Sequence, residues 1–242
     1  MADNRGKSVA IAIVTGGSRG IGRGIAEALL GAGWRVRFCS RSPESVETAE
    51  RELRERFGAA VSGRAVDVRD QREVDGFVEE TREEEGRIDC LVNNAGLGIF
   101  APVDELTGDQ WRETIETNLS GCFYFLHAVA PVMKRQGSGW IFNIASLAGK
   151  NPFARGAAYN ASKFGLIGLS EAAMLDLRGH GVRVAAILPG SVDTGFSLQR
   201  DHQDRSWMLK PEDIGSMVLH LLSYPPNALP SLVEMRPAKP QK

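Results

Sequence analysis

Tyr159 and Lys163 stand four residues apart, and Ser146 lies thirteen residues before the tyrosine at the end of an apolar run. Four residues is about one helical turn, so on a helix the phenol and the ammonium share a face. A free tyrosine titrates near pH ~10, which makes it a poor base at neutral pH. A cation fixed beside it favours the phenolate, so the spacing predicts a lowered tyrosine pKa. Lowering it by ~2–3 units takes roughly 3–4 kcal/mol of differential stabilisation. A serine hydroxyl nearby could hold a carbonyl or alcohol oxygen. These groups together would pass a proton to or from that oxygen while something else moves a hydride. The spacing alone also occurs on solvated helix faces, so the hydride carrier has to be found elsewhere in the chain.

The N-terminal region supplies it. Ser8 to Val14 is a short apolar, β-branched run that reads as a buried strand. Thr15-Gly16-Gly17-Ser18-Arg19-Gly20-Ile21-Gly22 follows at once, and then small and apolar residues recur at helical spacing to Gly31. Strand, glycine turn and helix form the context that a dinucleotide fingerprint requires. The glycines let the backbone approach a pyrophosphate, and the helix N-terminus offers it free N–H groups. The spacing is Thr-Gly-x-x-x-Gly-x-Gly, which differs from Gly-x-Gly-x-x-Gly.

Thr15 to Gly22, Asp67, Asn93-Asn94-Ala95-Gly96, Asn118, Ser146, Tyr159, Lys163 and Pro189-Gly190 resemble, in order and spacing, the motifs of the short-chain dehydrogenases/reductases. The resemblance runs from about Val9 to Thr194. It implies an α/β fold: a single doubly wound Rossmann-like domain over residues 1–242, with a seven-stranded, mostly parallel sheet in the order 3-2-1-4-5-6-7 flanked by helices. It also implies a nicotinamide cofactor and a catalytic tetrad of Asn118, Ser146, Tyr159 and Lys163. Cofactor contacts would come from Gly16, Ser18, Arg19, Gly20, Ile21 and Gly22. Further ones would come from Asn94, Ala95, Gly96, Tyr159, Lys163, Pro189, Gly190, Val192 and Thr194. Asp67 resembles the residue that accepts a hydrogen bond from the adenine amino group, with Val68 beside it; it could also cap the helix that follows. The Asn93–Gly96 run lets the ribose and pyrophosphate lie close, and its amides could equally tie adjacent strands together. Asn118 resembles an asparagine at a helix distortion that binds a water linked to the lysine. The segment Pro189 to Thr194 resembles the one that packs on the nicotinamide, which implies pro-S hydride transfer.

Charge argues for the phosphorylated cofactor. NAD sites hold the ribose 2′-hydroxyl with an acid about 20 residues past the glycines. Here the corresponding run is Phe38-Cys39-Ser40-Arg41-Ser42, with no acid. Arg19, Arg41 and the Ser40 hydroxyl suit a 2′-phosphate, each charge-assisted bond contributing roughly 1.5–3 kcal/mol. The reading is NADP(H) over NAD(H). No metal site is expected, since the histidines and cysteines show no ligand spacing.

The substrate side is named by position. Leu147, Asn151, Phe153 and Phe196, with Ser146, are the expected contacts; Leu97, Phe100, Trp207 and Met208 are further candidates, and Gly195 to Lys210 would form a lid. Most are apolar, which suits an apolar or aromatic ketone. The chain also resembles bacterial 3-oxoacyl-carrier-protein reductases, so an acyl thioester is the alternative substrate. Those enzymes carry basic residues at positions that match Gly137 and His180 here; Arg135, Arg178 and Arg183 are nearby substitutes. A non-catalytic NADP(H)-binding regulator is a third reading, opposed by the intact tyrosine and lysine.

These residues need a scaffold, and the chain alternates strand and helix signals throughout. Apolar runs near Val9–Val14, Val36–Cys39, Val61–Val66, Ile88–Val92, Trp140–Ala145, Val182–Leu188 and Leu232–Met235 are separated by helical patterns near Gly20–Leu30, Glu44–Phe57, Gln71–Glu84, Asp109–Arg135, Ala157–Arg178 and Pro211–Leu222. That alternation implies right-handed crossovers and a parallel sheet. The termini, 1–7 and 237–242, read as flexible. A formal charge of −1 gives no reason for a nucleic-acid or membrane partner. No apolar run would span a membrane and no signal-peptide core follows Met1, so a cytoplasmic location is expected. Cys39, Cys90 and Cys122 are odd in number and read as buried, reduced thiols. Self-association as a homotetramer or homodimer is expected from the resemblance, with Leu169, Ala172, Ala173 and Leu177 as a candidate face.

Overall fold

The strands form where β-branched and apolar residues cluster, and each side chain takes the sheet face that its parity dictates. In the computed structural model, which describes residues 9–194 and 204–239, the strands are β1 Ile11–Thr15, β2 Arg35–Ser40, β3 Val61–Ala65, β4 Cys90–Asn93, β5 Gly139–Ile144, β6 Val182–Pro189 and β7 Leu232–Met235. They make one seven-stranded sheet in the order β3-β2-β1-β4-β5-β6-β7, the expected order. Every pairing is parallel, so the sheet is wholly rather than mostly parallel.

The helices are α1 Gly20–Gly31, α2 Pro43–Phe57, α3 Gln71–Glu85, α4 Gly108–Ile115, α5 Gly121–Gln136, α6 Ala157–Leu177 and α7 Pro211–Leu222. Ala12 and Val14 of β1 pack with Ile25, Leu29, Ile214 and Val218 on one face. Ile13, between them, packs with Val74, Phe77, Phe125 and Val129 on the other. A single strand thus feeds two cores, which is why it reads as a continuous apolar run. α1 and α7 approach closely because both carry glycine at the crossing: a Cβ on Gly215 would lie 2.7 Å from the Gly24 carbonyl oxygen.

The long helix expected over Asp109–Arg135 is not one regular helix. A π-helical turn over Glu116–Ser120 joins α4 to α5, with the Gly121 N–H reaching the Glu116 carbonyl. One extra residue in that turn rotates Asn118 into the buried interior. Asp70, rather than Asp67, caps α3: its carboxylate accepts from the Arg72 and Glu73 N–H groups. Cys39, Cys90 and Cys122 are all buried and unpaired, and burial pushes the Cys39 thiol up to about 12 and that of Cys122 to about 11. No described helix is long and apolar enough to cross a membrane.

Two expectations about surfaces change. Ala173 and Leu177 belong to the core, so only Leu169 and Ala172 of the named face reach solvent. The large apolar side chains that α5 and α6 expose are Phe123, Phe164 and Leu175. Arg183 is also unsuited to meeting an acidic carrier. Its guanidinium lies 4.2 Å from the Trp140 ring centroid and donates to the Tyr224 carbonyl at 3.1 Å.

Candidate active site

β5 delivers Ser146 and α6 delivers Tyr159 and Lys163. Two residues past β5 the chain is extended at Ser146, whose Oγ accepts from the Ala148 N–H at 3.1 Å. Tyr159 sits in the first turn of α6, and Lys163 follows one turn later on the same face. The Lys163 side chain is 5% exposed, and its Nζ donates to the Ile144 carbonyl at 2.9 Å. That bond ties α6 to the end of β5 and brings the Tyr159 hydroxyl to Ser146, to which it is hydrogen-bonded. Of the three Nζ donors, this is the one with a partner among the described residues.

The electrostatics differ from the sequence expectation. Burial raises the Tyr159 pKa above its ordinary value, and the hydrogen bond from Ser146 only partly offsets this. The Lys163 ammonium lies 5.8 Å from the Tyr159 ring centroid and is turned to a carbonyl, so it does not reverse the shift. Burial also lowers Lys163, to about 8, with Cys122 opposing. Desolvation disfavours the charged form of each group and is the largest cause of each shift.

Asn118 is fully buried in the π-turn. Its Oδ1 accepts from the Leu97 N–H at 2.8 Å, and its Nδ2 donates to the Leu97 carbonyl at 2.8 Å and to Ser162 Oγ at 3.0 Å. The amide is therefore committed to protein partners. A water on this residue would have to donate to it, at Oδ1 or at the backbone carbonyl, which also accepts from Cys122 Sγ at 3.3 Å.

The glycine loop is held from β4. Thr15 Oγ1 accepts from the Asn94 and Ala95 N–H groups, each at 2.9 Å. Asn94 Nδ2 donates to the Thr15 and Gly16 carbonyls at 3.0 and 3.2 Å. Asn93 Nδ2 donates to Asn143 Oδ1 at 2.9 Å, and Asn143 Nδ2 to Ser170 Oγ at 2.8 Å. The strand-tying role of these amides is thus realised. Gly16 and Gly20 have φ of 64° and 56°, which other residues adopt at a cost. A Cβ on Gly22 would collide with the Gly16 carbonyl oxygen and the Asn94 amide nitrogen.

This cradle fits a dinucleotide pyrophosphate. No side chain caps the start of α1, so its first N–H groups face the glycine loop unshielded. Thr194 lies over that start, with its Cγ2 3.3 Å from where a Gly20 Cβ would sit. Ile21 packs against the core behind the loop. Gly96 adjoins Asn118, 3.2 Å from its Oδ1 if a Cβ were present. Pro189 ends β6, the Gly190 N–H donates to the Met235 carbonyl at 2.8 Å, and Val192 bridges to Leu209. The segment after β6 is thereby fixed on both sides.

At the expected adenosine end, Ser40 Oγ donates to Ser18 Oγ at 2.9 Å and accepts from the Ser18 N–H. Arg19 and Arg41 are exposed. Asp67 is gripped by Arg69, whose Nε lies 2.9 Å from Oδ1, and this holds its carboxyl below the usual range. Val68 is buried against Gly121.

On the expected substrate side, two rings flank the phenol. Phe100 meets Tyr159 edge-on at 5.6 Å, Phe153 lies 6.2 Å from Tyr159, and the two phenylalanines are 5.7 Å apart. Asn160 Nδ2 donates to the Phe153 carbonyl at 2.9 Å and fixes that loop, a role that sequence reading missed. Leu147 and Asn151 share the short turn after Ser146, where the Asn151 N–H donates to the Leu147 carbonyl at 2.8 Å. Phe196 and most of the expected lid lie outside the described residues. Asn143 and Ser170 had no signal beyond being polar in apolar runs.

Known proteins resemble this chain in sequence and fold. The pattern of the family described as short chain dehydrogenase matches residues 10–205. An uncharacterised oxidoreductase of Staphylococcus saprophyticus is 36% identical over 227 residues, covering 94% of this chain and 97% of its own. The alcohol dehydrogenase of the archaeon Thermococcus sibiricus, solved with 5-hydroxy-NADP, superposes with a TM-score of 0.88 at 30% identity, covering 97% of this chain and 100% of the other. A variant of the actinorhodin polyketide ketoreductase with NADPH gives 0.87 at 32% identity, covering 95% and 96%.

Proposed function

This chain belongs to the short-chain dehydrogenase family and is an NAD(P)-dependent oxidoreductase, and from that premise we propose that it interconverts a ketone and a secondary alcohol with NADP(H). The observation that carries the reading is the convergence of Ser146, Tyr159 and buried Lys163 from two elements, clamped by the Lys163–Ile144 bond. A bound nicotinamide would supply or accept the hydride. Gly16, Ser18, Gly20, Ile21, Gly22, Asn94, Ala95, Gly96 and Thr194 would hold its pyrophosphate and ribose region, and Pro189, Gly190 and Val192 its nicotinamide end. Asp67 and Val68 would border the adenine, and Arg19, Ser40 and Arg41 the 2′-phosphate.

The residues then divide the work. Ser146 holds the substrate oxygen against Tyr159. The raised pKa of Tyr159 keeps the phenol protonated in the free protein, the form needed to donate a proton to a developing alkoxide. Lys163, charged below about 8, stabilises the phenolate left behind. Asn118 positions the loop after β4 against α6 through Leu97 and Ser162. Phe100 and Phe153 shape the entrance for an apolar or aromatic carbonyl. The NADP-bound neighbours support the phosphorylated cofactor. Self-association through α5 and α6 would cover Phe123 and Phe164, which stand 45% and 46% exposed.

The test is NADPH oxidation with small ketones and diketones beside acetoacetyl-CoA. Free ketones are expected to turn over in preference to the thioester. Tyr159→Phe should lower turnover at least ~10²-fold, at the low end for a lost general acid, while NADPH affinity stays within a few-fold. Near-normal turnover by that variant would refute the assignment.

A further inference from the structure

Charged side chains from three separate elements converge at the adenosine end of the proposed cofactor site. Arg41 follows β2, Arg69 follows β3, and Glu113 lies on α4. Glu113 Oε1 is 3.4 Å from Arg41 Nη1 and 3.8 Å from Arg69 Nη1. Arg69 is already paired, since its Nε and Nη2 both reach the Asp67 carboxylate, at 2.9 and 2.5 Å. Among the described residues, Glu113 is the carboxylate that Arg41 pairs with. Glu113 therefore meets both guanidinium groups, at hydrogen-bonding distance from Arg41 and as a neighbouring charge beside Arg69.

The Arg41–Glu113 pair has little to do for the fold. Their side chains are 63% and 36% exposed, and exposed pairs contribute little to stability. α4 is already secured by the reciprocal Thr107–Gln110 cap. What the pair does control is the free charge at this end of the cleft. Asp67 and Glu113 pair with Arg41 and Arg69 there, and Asp70, Asp75 and Glu116 line the same cleft with Arg72, so carboxylates outnumber guanidinium groups. A phosphate entering this cleft meets an arginine whose Nη1–H is taken by a carboxylate.

We propose that Glu113 is a specificity-determining residue that competes with the cofactor 2′-phosphate for Arg41, lowering affinity for NADPH while leaving NADH nearly unaffected. The proposal rests on the assignment of Arg41 to the 2′-phosphate. Because α4 is remote in sequence from both the glycine loop and β2, this brake on cofactor choice has no counterpart in the fingerprint itself.

The experiment is calorimetric titration of NADPH, NADH and 2′,5′-ADP into the wild type, Glu113→Gln, Glu113→Asp, Arg41→Ala and the Arg41→Ala/Glu113→Gln double variant. Glu113→Gln should bind NADPH and 2′,5′-ADP about fivefold more tightly, the factor for one unit charge at a few ångströms in water. NADH should move less than about twofold by the same argument, since it lacks the phosphate. The gain should shrink as salt is added and should be absent in Glu113→Asp, which keeps the charge. It should also vanish in the double variant. If Arg41→Ala weakens NADPH but Glu113→Gln leaves it unchanged or weakens it, Glu113 is idle or a support and the proposal fails alone. If Arg41→Ala leaves NADPH affinity unchanged, the 2′-phosphate assignment fails and the proposal with it.

Discussion

Replacing Lys163 by methionine should change how stability depends on pH in a way that only a buried lysine can produce. The side chain is 5% exposed, and its pKa falls from 10.5 to about 8 on folding because burial disfavours the ammonium. Between those values the unfolded chain holds a proton that the folded chain does not. Stability then rises with pH across that window, by about 1.36 kcal/mol per unit for a single group. Over the whole interval the wild type should gain about 3 kcal/mol relative to Lys163→Met. Below about pH 8 the lysine is charged in both states, and the difference between the two proteins should be flat. Lys163→Met also leaves the Ile144 carbonyl without its donor, but that offset does not depend on pH. Tyr159, raised in the fold, takes stability away as pH climbs past its ordinary value, and it does so in both proteins. Urea denaturation of the cofactor-free proteins at pH 7, 8, 9 and 10 measures the difference directly. A constant difference from pH 8 to 10 would refute the claim that burial dominates the environment of Lys163.

Two other perturbations probe the scaffold. Gly22→Ala should destabilise the cofactor-free protein by about 2 kcal/mol, a usual cost of overpacking, because its Cβ meets the Gly16 carbonyl and the Asn94 amide. Unchanged stability in denaturant melts, with only cofactor binding lost, would show that this glycine serves ligand approach alone. Asn143→Ala should cost roughly 1–3 kcal/mol, since it takes a buried hydrogen bond from both Asn93, which keeps the Cys122 carbonyl, and Ser170, which keeps the Leu166 carbonyl. A loss within about 0.5 kcal/mol, the range of an ordinary surface change, would refute the coupling of β4, β5 and α6 through this amide.

Much of this protein was legible before any coordinates. The alternation of β-branched runs with helical periodicity determined a parallel α/β sheet, because a buried strand and an amphipathic helix leave different periods in the chain. The glycine loop, the Tyr159–Lys163 spacing and the placement of Ser146 were equally plain, since strand–turn–helix junctions and single helical turns are local geometry. Three things were decided only by tertiary structure. Burial sets the protonation of Tyr159 and Lys163, and it opposes the sign that spacing alone suggested. The π-turn spends both ends of the Asn118 amide on Leu97 and Ser162, residues 21 and 44 positions away. Glu113 reaches Arg41 across 72 residues. Desolvation and long-range pairing depend on what the rest of the chain packs around a group, and no local pattern of residues records that.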